Sequence, residues 1–433
     1  FCMDGLVYPD RRPHTGLLEF KNICRPARVT HYDQSTGTLT LHNYMDFVDL
    51  TDYATLSYEL NCDGQVVSAG SVPFPGGFRL PPHADGTLPL PLDVPAKGKC
   101  FVNICYHCKQ DSALIKADHL LGFDEIPLQN SDPRNQDAVQ LLGRPAGDGL
   151  ITIRETDRML VLSCEQFTYV FNKLTGLFDK MTFANEPLLD QPMGFNVWRA
   201  PTDNDRKLKA DWYAAHYDHA ATNAYHTEYT VTASGVTLHT HVGIAAICVQ
   251  KFLDLDVTWT VANNGSVDLA LHAQRNTVFP ELPRFGLRLF LPQEMSQVNY
   301  YGMGPMECYC DKHHAASHNS YTATVWQLHE DYIRPQENGS HFDCDYVMLA
   351  GDAVRLTAVG TQPFSFNASH YTQEELTRKA HNYELEPCSS TVLCLDYAQN
   401  GIGSESCGPR LLEQYRLDDA TFNFGLRLFP EKK

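Results

Sequence analysis

The stretch WRAPTDND sets Asp203 and Asp205 on either side of Asn204, shortly after Pro201. Oxygen ligands so spaced could chelate a hard cation. The glycine and distant glutamate of an EF-hand-type calcium loop are missing in register, and the same residues suit a tight polar turn closed by Asx hydrogen bonds. CFVNICYHC holds Cys100, Cys105 and Cys108. A Cys-x-x-Cys pair is half a zinc site or a redox pair. No second Cys-x-x-Cys or His pair accompanies it, and the alternation of a strand would send Cys105 and Cys108 to opposite faces. The cysteines therefore read as buried thiols of a reducing compartment. Cys407, in NGIGSESCGP, has no histidine nearby to activate it and reads as a small turn residue between Gly403 and Gly408. YYGMGPMECYCD and YIRPQENGS carry Glu307 and Arg334, expected to be a structural acid and base, paired as buried charges usually are.

Composition narrows the partners. Against 34 Lys+Arg stand 52 Asp+Glu, a formal charge of −18 over 433 residues. Such a surface repels phosphates and argues against nucleic acid, while a neutral sugar is unaffected. No apolar run approaches the roughly 18 residues that span a bilayer, so no membrane partner is expected. Asn264, Asn338 and Asn367 lie in N-x-S sequons, which matter only in a secreted chain.

The elements that must position these residues are mostly strands. ATLSYELNCDGQVVSAGSV predicts a hairpin turning at Asp63-Gly64. Further turns are expected at Asn264-Gly265, at Ser234-Gly235 and near Thr175-Gly176, with strands in GDAVRLTAVG and ATFNFGLRLF. Many short strands with close turn signals predict sandwiches rather than alternating βα units. Helical signals are few. HTGLLEFKNI follows Pro13, and YTQEELTRKAHN offers Thr372 and Glu375 as a capping box, with Leu376 and Ala380 toward the core. The polar, Pro- and Gly-bearing segment 128–148 reads as a linker, and a softer boundary falls near Arg25-Pro26.

Taken together and in this order, FCMDGLVYPDRRPH, WRAPTDND, GMGPMECYCD and RPQENG resemble the C-terminal part of the large bacterial β-galactosidases of glycoside hydrolase family 2. The resemblance covers essentially the whole chain. It implies an all-β fold in three pieces. Residues 1–24 would be the last strand and helix of a (β/α)8 catalytic barrel, a stub whose strand has lost its neighbours. Residues 25–127 would form an immunoglobulin-like β-sandwich, and residues 128–433 a large galactose-mutarotase-like supersandwich. Opening on Phe1, the chain reads as a C-terminal fragment, and a designed truncation or processing is the better account of it.

A retaining glycosidase needs two carboxyl groups about 5–5.5 Å apart. The resemblance places both, with the magnesium ligands, upstream of this chain, so no catalytic residue is expected here and the fragment alone is expected to be inactive. It implies that Phe1 and Asp4 supply a backbone carbonyl and a side-chain oxygen to a sodium ion at the galactose pocket. The family's best-known members carry Asn where Asp4 stands. Cys407 falls where the family's loop often carries a tryptophan that stacks on the leaving sugar, and a thiol offers no such face. Arg206 and Lys207 lie at a mobile loop, with Lys207 about where the family has a hinge glycine. The expected partners are a β-galactoside such as lactose, the upstream catalytic portion, and further copies in an oligomer; a bacterial cytoplasmic location is expected. The competing readings are a stand-alone carbohydrate-binding sandwich, an aldose epimerase with His and Glu converging on an open sheet, and an assembly module.

Overall fold

The computed structural model describes residues 5–128 and 132–433. It divides into two compact units. The first comprises residues up to Val139 together with His313–Ser320; the second holds Gln140–Lys312 and Tyr321–Lys433. Among the described residues no helix is long and apolar enough to cross a membrane.

The first unit has a three-stranded sheet (Ala27–Asp33, Thr38–Asn43, Asp85–Pro89) and a four-stranded sheet in the order Gln65–Val72, Ala54–Cys62, Cys100–Cys108, Leu120–Pro127. Alternate residues of both, among them Leu39, Leu41, Leu56, Leu60, Val102 and Ile104, fill one core. The Asp63-Gly64 hairpin forms as expected. Cys62 pairs with Gln65, and both turn residues take positive φ, which the twist of a two-residue hairpin requires.

The two edges of the four-stranded sheet are treated differently. The strand Gln65–Val72 is exposed along nearly its whole length. The edge at Leu120–Pro127 is closed by the residues around the helix Thr15–Ile23. There Asn22 accepts from the Phe123 N–H at 2.7 Å and donates to the Phe123 carbonyl at 3.0 Å, as a neighbouring strand would. Its amide also reaches the His314 carbonyl at 2.6 Å, and Glu19 accepts from the N–H groups of His314 and Ala315.

The second unit has a five-stranded sheet over 152–187 and the larger part of a twelve-stranded one. Long strands with alternating burial, such as Leu253–Ala262 and Val267–Arg275, put Leu255, Val257, Trp259, Leu269 and Leu271 into a single large core. The hairpin expected at Ser234-Gly235 turns one residue earlier, on Ala233-Ser234. Gly235 opens the return strand at φ +152, where a Cβ would lie 2.2 Å from the Val261 carbonyl oxygen. The helix Gln373–Arg378 is capped by the Thr372 hydroxyl on the Glu375 N–H, but it stops before Ala380, which is exposed. Glu375 does not return its carboxylate to the cap. It binds Arg378 and the Glu386 N–H, and Lys379 drops into extended backbone. Within the segment read as a linker, Asn135 caps a short helix, Gln136–Leu142.

Candidate functional site

The four motifs of the second unit meet around one buried charge network. Arg199 is fully buried and grips Asp205 with two hydrogen bonds, Nε–Oδ2 at 3.2 Å and Nη2–Oδ1 at 2.7 Å. Asp205 can turn back toward Arg199 because Thr202 caps the single 3-10 turn Asp203–Arg206, its N–H donating to Asp205 at 2.8 Å. Burial alone would favour a neutral arginine. The Asp205 charge outweighs it and holds the guanidinium protonated.

The rest of Arg199 is spent on the loop that follows the strand Ser390–Gln399. Nη1 donates to the Asn400 carbonyl and Nη2 to the Gly401 carbonyl. Asp311, the last residue of GMGPMECYCD, accepts the N–H groups of Ile402 and Gly403 at 2.9 and 2.7 Å. Asn204 donates to the Gly403 carbonyl at 2.7 Å and accepts from the Ser406 hydroxyl at 3.0 Å. Gly403 stands at φ +65, which suits a residue without Cβ. A cation, a carboxylate and an amide thus fix successive peptide groups of residues 400–403, and the same amide holds the Ser406 hydroxyl. Cys407, one residue on, sits exposed at the tip, where Cys407 and Gly408 both donate to the Ser404 carbonyl.

RPQENGS buttresses the same place. Glu337 exchanges backbone and side-chain hydrogen bonds with Ala200 and accepts Arg284 Nη1 at 2.5 Å. Arg284, also fully buried, is bidentate on Asp396 and donates to Asn367. Glu307 binds Lys312 at 2.9 Å, the Tyr332 hydroxyl at 2.5 Å and the Gly339 N–H at 2.9 Å. Burial pushes its carboxyl upward, but Lys312 and these donors prevail and hold it at about 2. The cation expected opposite Glu307 is therefore Lys312 and not Arg334. Arg334 is solvent-exposed, 3.7 Å from an equally exposed Asp203. Arg334 lies exposed one residue before the chain goes inward at the buried Pro335, so its side chain stays in solvent while Glu307 is buried.

Beside the network opens a cavity of about 200 Å³ lined by Tyr309, Phe342, Phe364, Tyr397, Ser340 and Gln399. Gln399 Nε2 donates to Ser340 and Asp396, while its buried Oε1 has no hydrogen-bond partner among the described residues. Burial pushes the thiol of Cys310, also on the wall, up to about 12, so it is no nucleophile near neutrality.

Residues 163–428 match the family described as "Beta galactosidase small chain", and residues 39–129 match "Beta-galactosidase, domain 4". The chain belongs to the β-galactosidase family. It is 39% identical over 432 residues to a β-galactosidase of Actinobacillus pleuropneumoniae, covering 100% of this chain and 41% of that protein. To a β-galactosidase of Staphylococcus xylosus it is 34% identical, covering 99% of this chain and 42% of that protein. It thus spans about two fifths of the length of these β-galactosidases. Among solved structures it is similar to a galactose mutarotase-like protein from Lactobacillus casei, at 9% identity and TM-score 0.36, covering 63% of this chain and 100% of that one.

Set in a β-galactosidase, the residues singled out in the sequence divide clearly. Phe1 and Asp4 lie outside the described residues. Arg206 and Lys207 join the 3-10 turn to the helix Leu208–Ala214. Lys207 sits in helical backbone at φ −90, needing no glycine, and its exposed ammonium lies 4.0 Å from Glu405 in the anchored loop. Asp205 is buried and paired with Arg199, whereas Asp203 is exposed and faces the exposed Arg334. Among the described residues no group of three His, Cys, Asp or Glu side chains is placed to hold a metal. Arg199 and Asp311 stood inside the quoted motifs but were not picked out, since sequence shows the residue and not the loop it holds. Arg284 and Asp396 lie in ordinary strand sequence and carried no signal.

Proposed function

We propose that this chain is the C-terminal portion of a retaining β-galactosidase that hydrolyses terminal β-D-galactosides such as lactose. The observation that carries the reading is the likeness, along the whole of this chain, to 41% of the Actinobacillus pleuropneumoniae β-galactosidase. In this reading the nucleophile, the acid/base and the magnesium ligands belong to the upstream portion. Phe1 and Asp4 complete a sodium site at the edge of the galactose pocket. This chain's own contribution is positional. Arg199, Asn204 and Asp311 hold residues 400–403 by their backbone, and Asn204 also holds the Ser406 hydroxyl, so Cys407 is presented at a fixed place on the rim. A rigid rim holds a leaving sugar in place without reordering a loop at each turnover. With Cys407 in place of an aromatic face, that hold on the aglycone is weak.

The reading is tested by turnover of a chromogenic β-galactoside with sodium and magnesium present. This chain alone is expected to show none, and mixing with the separately produced upstream portion is expected to restore it. Turnover by this chain alone, lost on replacing one of its own carboxylates, would overturn the assignment.

A further inference from the structure

Of the four tryptophans, Trp198, Trp212 and Trp259 are buried, whereas Trp326 is 51% exposed. It is not a loose side chain. Val325, fully buried, donates to the Ser296 carbonyl and pins the turn that carries it. The Trp326 ring rests against the buried His370, centroids 4.7 Å apart. It meets Tyr371 at 5.9 Å with the two rings 79° apart. His329 supports Tyr371 from 5.0 Å. Two aromatic rings therefore form a near-right-angled corner whose orientation is set by packing from behind.

The surroundings of the corner are polar. Asp331 is exposed, bears electrostatically on both Tyr371 and His329, and accepts the Asn382 amide at 3.0 Å. The residue after Asn382 is Tyr383, 80% exposed and stacked on His381. Aromatic faces take the apolar C–H face of a ring, a carboxylate accepts hydroxyl hydrogens, and a tyrosine adds a hydroxyl of its own. That combination suits a neutral pyranose. An anionic ligand is disfavoured by Asp331 and by the formal charge of −18.

We propose that Trp326, Tyr371 and Asp331 form a binding subsite for a neutral pyranose, with Tyr383 offering a stacking face to a second sugar unit. The proposal does not depend on the upstream portion or on turnover, and complementation of activity reports on that reading separately.

The test titrates the full chain with methyl β-D-galactopyranoside and with lactose, read by saturation-transfer NMR and by tryptophan fluorescence. Saturable binding is expected, weakened about tenfold or more in Trp326→Ala and several-fold in Asp331→Asn. Trp326→Phe keeps a stacking face and should retain most of the affinity, which separates loss of the site from loss of the fold. No saturable signal up to about 100 mM sugar would overturn the proposal. So would unchanged binding by Trp326→Ala. Protection of Trp326 from a small quencher on self-association or on adding the upstream portion would assign the corner to a protein interface and overturn it as well.

Discussion

Arg199 and Asp205, six residues apart in sequence, face each other as a bidentate ion pair with both side chains sealed from solvent. Removing the cation leaves a buried carboxylate and two unmet carbonyls. Arg199→Ala should therefore cost about 3–5 kcal/mol of unfolding free energy, read by urea titration of the full chain. The double variant Arg199→Met, Asp205→Leu should recover a large part of that loss, because no unpaired charge remains.

Asn204→Ala acts on the loop more than on the fold. Its two hydrogen bonds are partly exposed, so the stability loss should be about 1 kcal/mol. Hydrogen exchange at residues 401–407 should rise severalfold while the strands stay protected. In the enzyme restored by the upstream portion, KM should rise more than kcat falls.

Cys407→Trp supplies the face that a thiol lacks. In the restored enzyme it should tighten binding of glucose as acceptor by about 0.5–1.5 kcal/mol, seen as faster transfer to added glucose than to water. The wild-type thiol gives a simpler check. Exposed Cys24, Cys248 and Cys407 should react with a maleimide well before buried Cys100, whose thiol is pushed up to about 12 by burial.

Acid should weaken the second unit in two windows. Burial holds His341 neutral down to about 4, below its ordinary value near 6.5. A histidine depressed on folding stabilises fully above its unfolded pKa, and that share is lost as pH falls from about 6.5 to about 4, at most roughly 3 kcal/mol. Glu307 is held at about 2, so its contribution is present above its unfolded value and is lost as pH falls from about 4.5 toward 2. His341→Gln should flatten the first window of a stability-versus-pH curve and leave the second.

Asn22→Ala opens a sheet edge. The Phe123 N–H and carbonyl lose their partners, which should cost about 2 kcal/mol and raise concentration-dependent association in sedimentation velocity.

The sequence made some of this legible and hid the rest for identifiable reasons. Asp63-Gly64 was readable because a two-residue turn with two positive φ values leaves few residue choices. The hairpin at 233–234 slipped by one because its glycine serves a close backbone approach, not the turn. Ala380 failed to reach the core because the helix stops at Arg378 and Lys379 is already extended, which breaks the helical register that would have carried it inward. Glu307 was readable as a paired acid, but its partner was not, since burial and not spacing decides which cation faces it. Arg284 and Asp396 are 112 residues apart and meet only through strand pairing. No local pattern could announce them.

The first unit borrows residues 313–320 from far along the chain. Nascent chain emerges from its N-terminus, at about 5–20 residues per second. The sandwich is therefore complete in all but one piece when Val139 emerges, and it waits for roughly 180 further residues, on the order of 10–40 s, before His314 arrives to meet Asn22. During that interval the site of the missing piece is open to whatever else is in the cell, so the pace of synthesis, and not only the final energy, bears on whether this protein is made correctly.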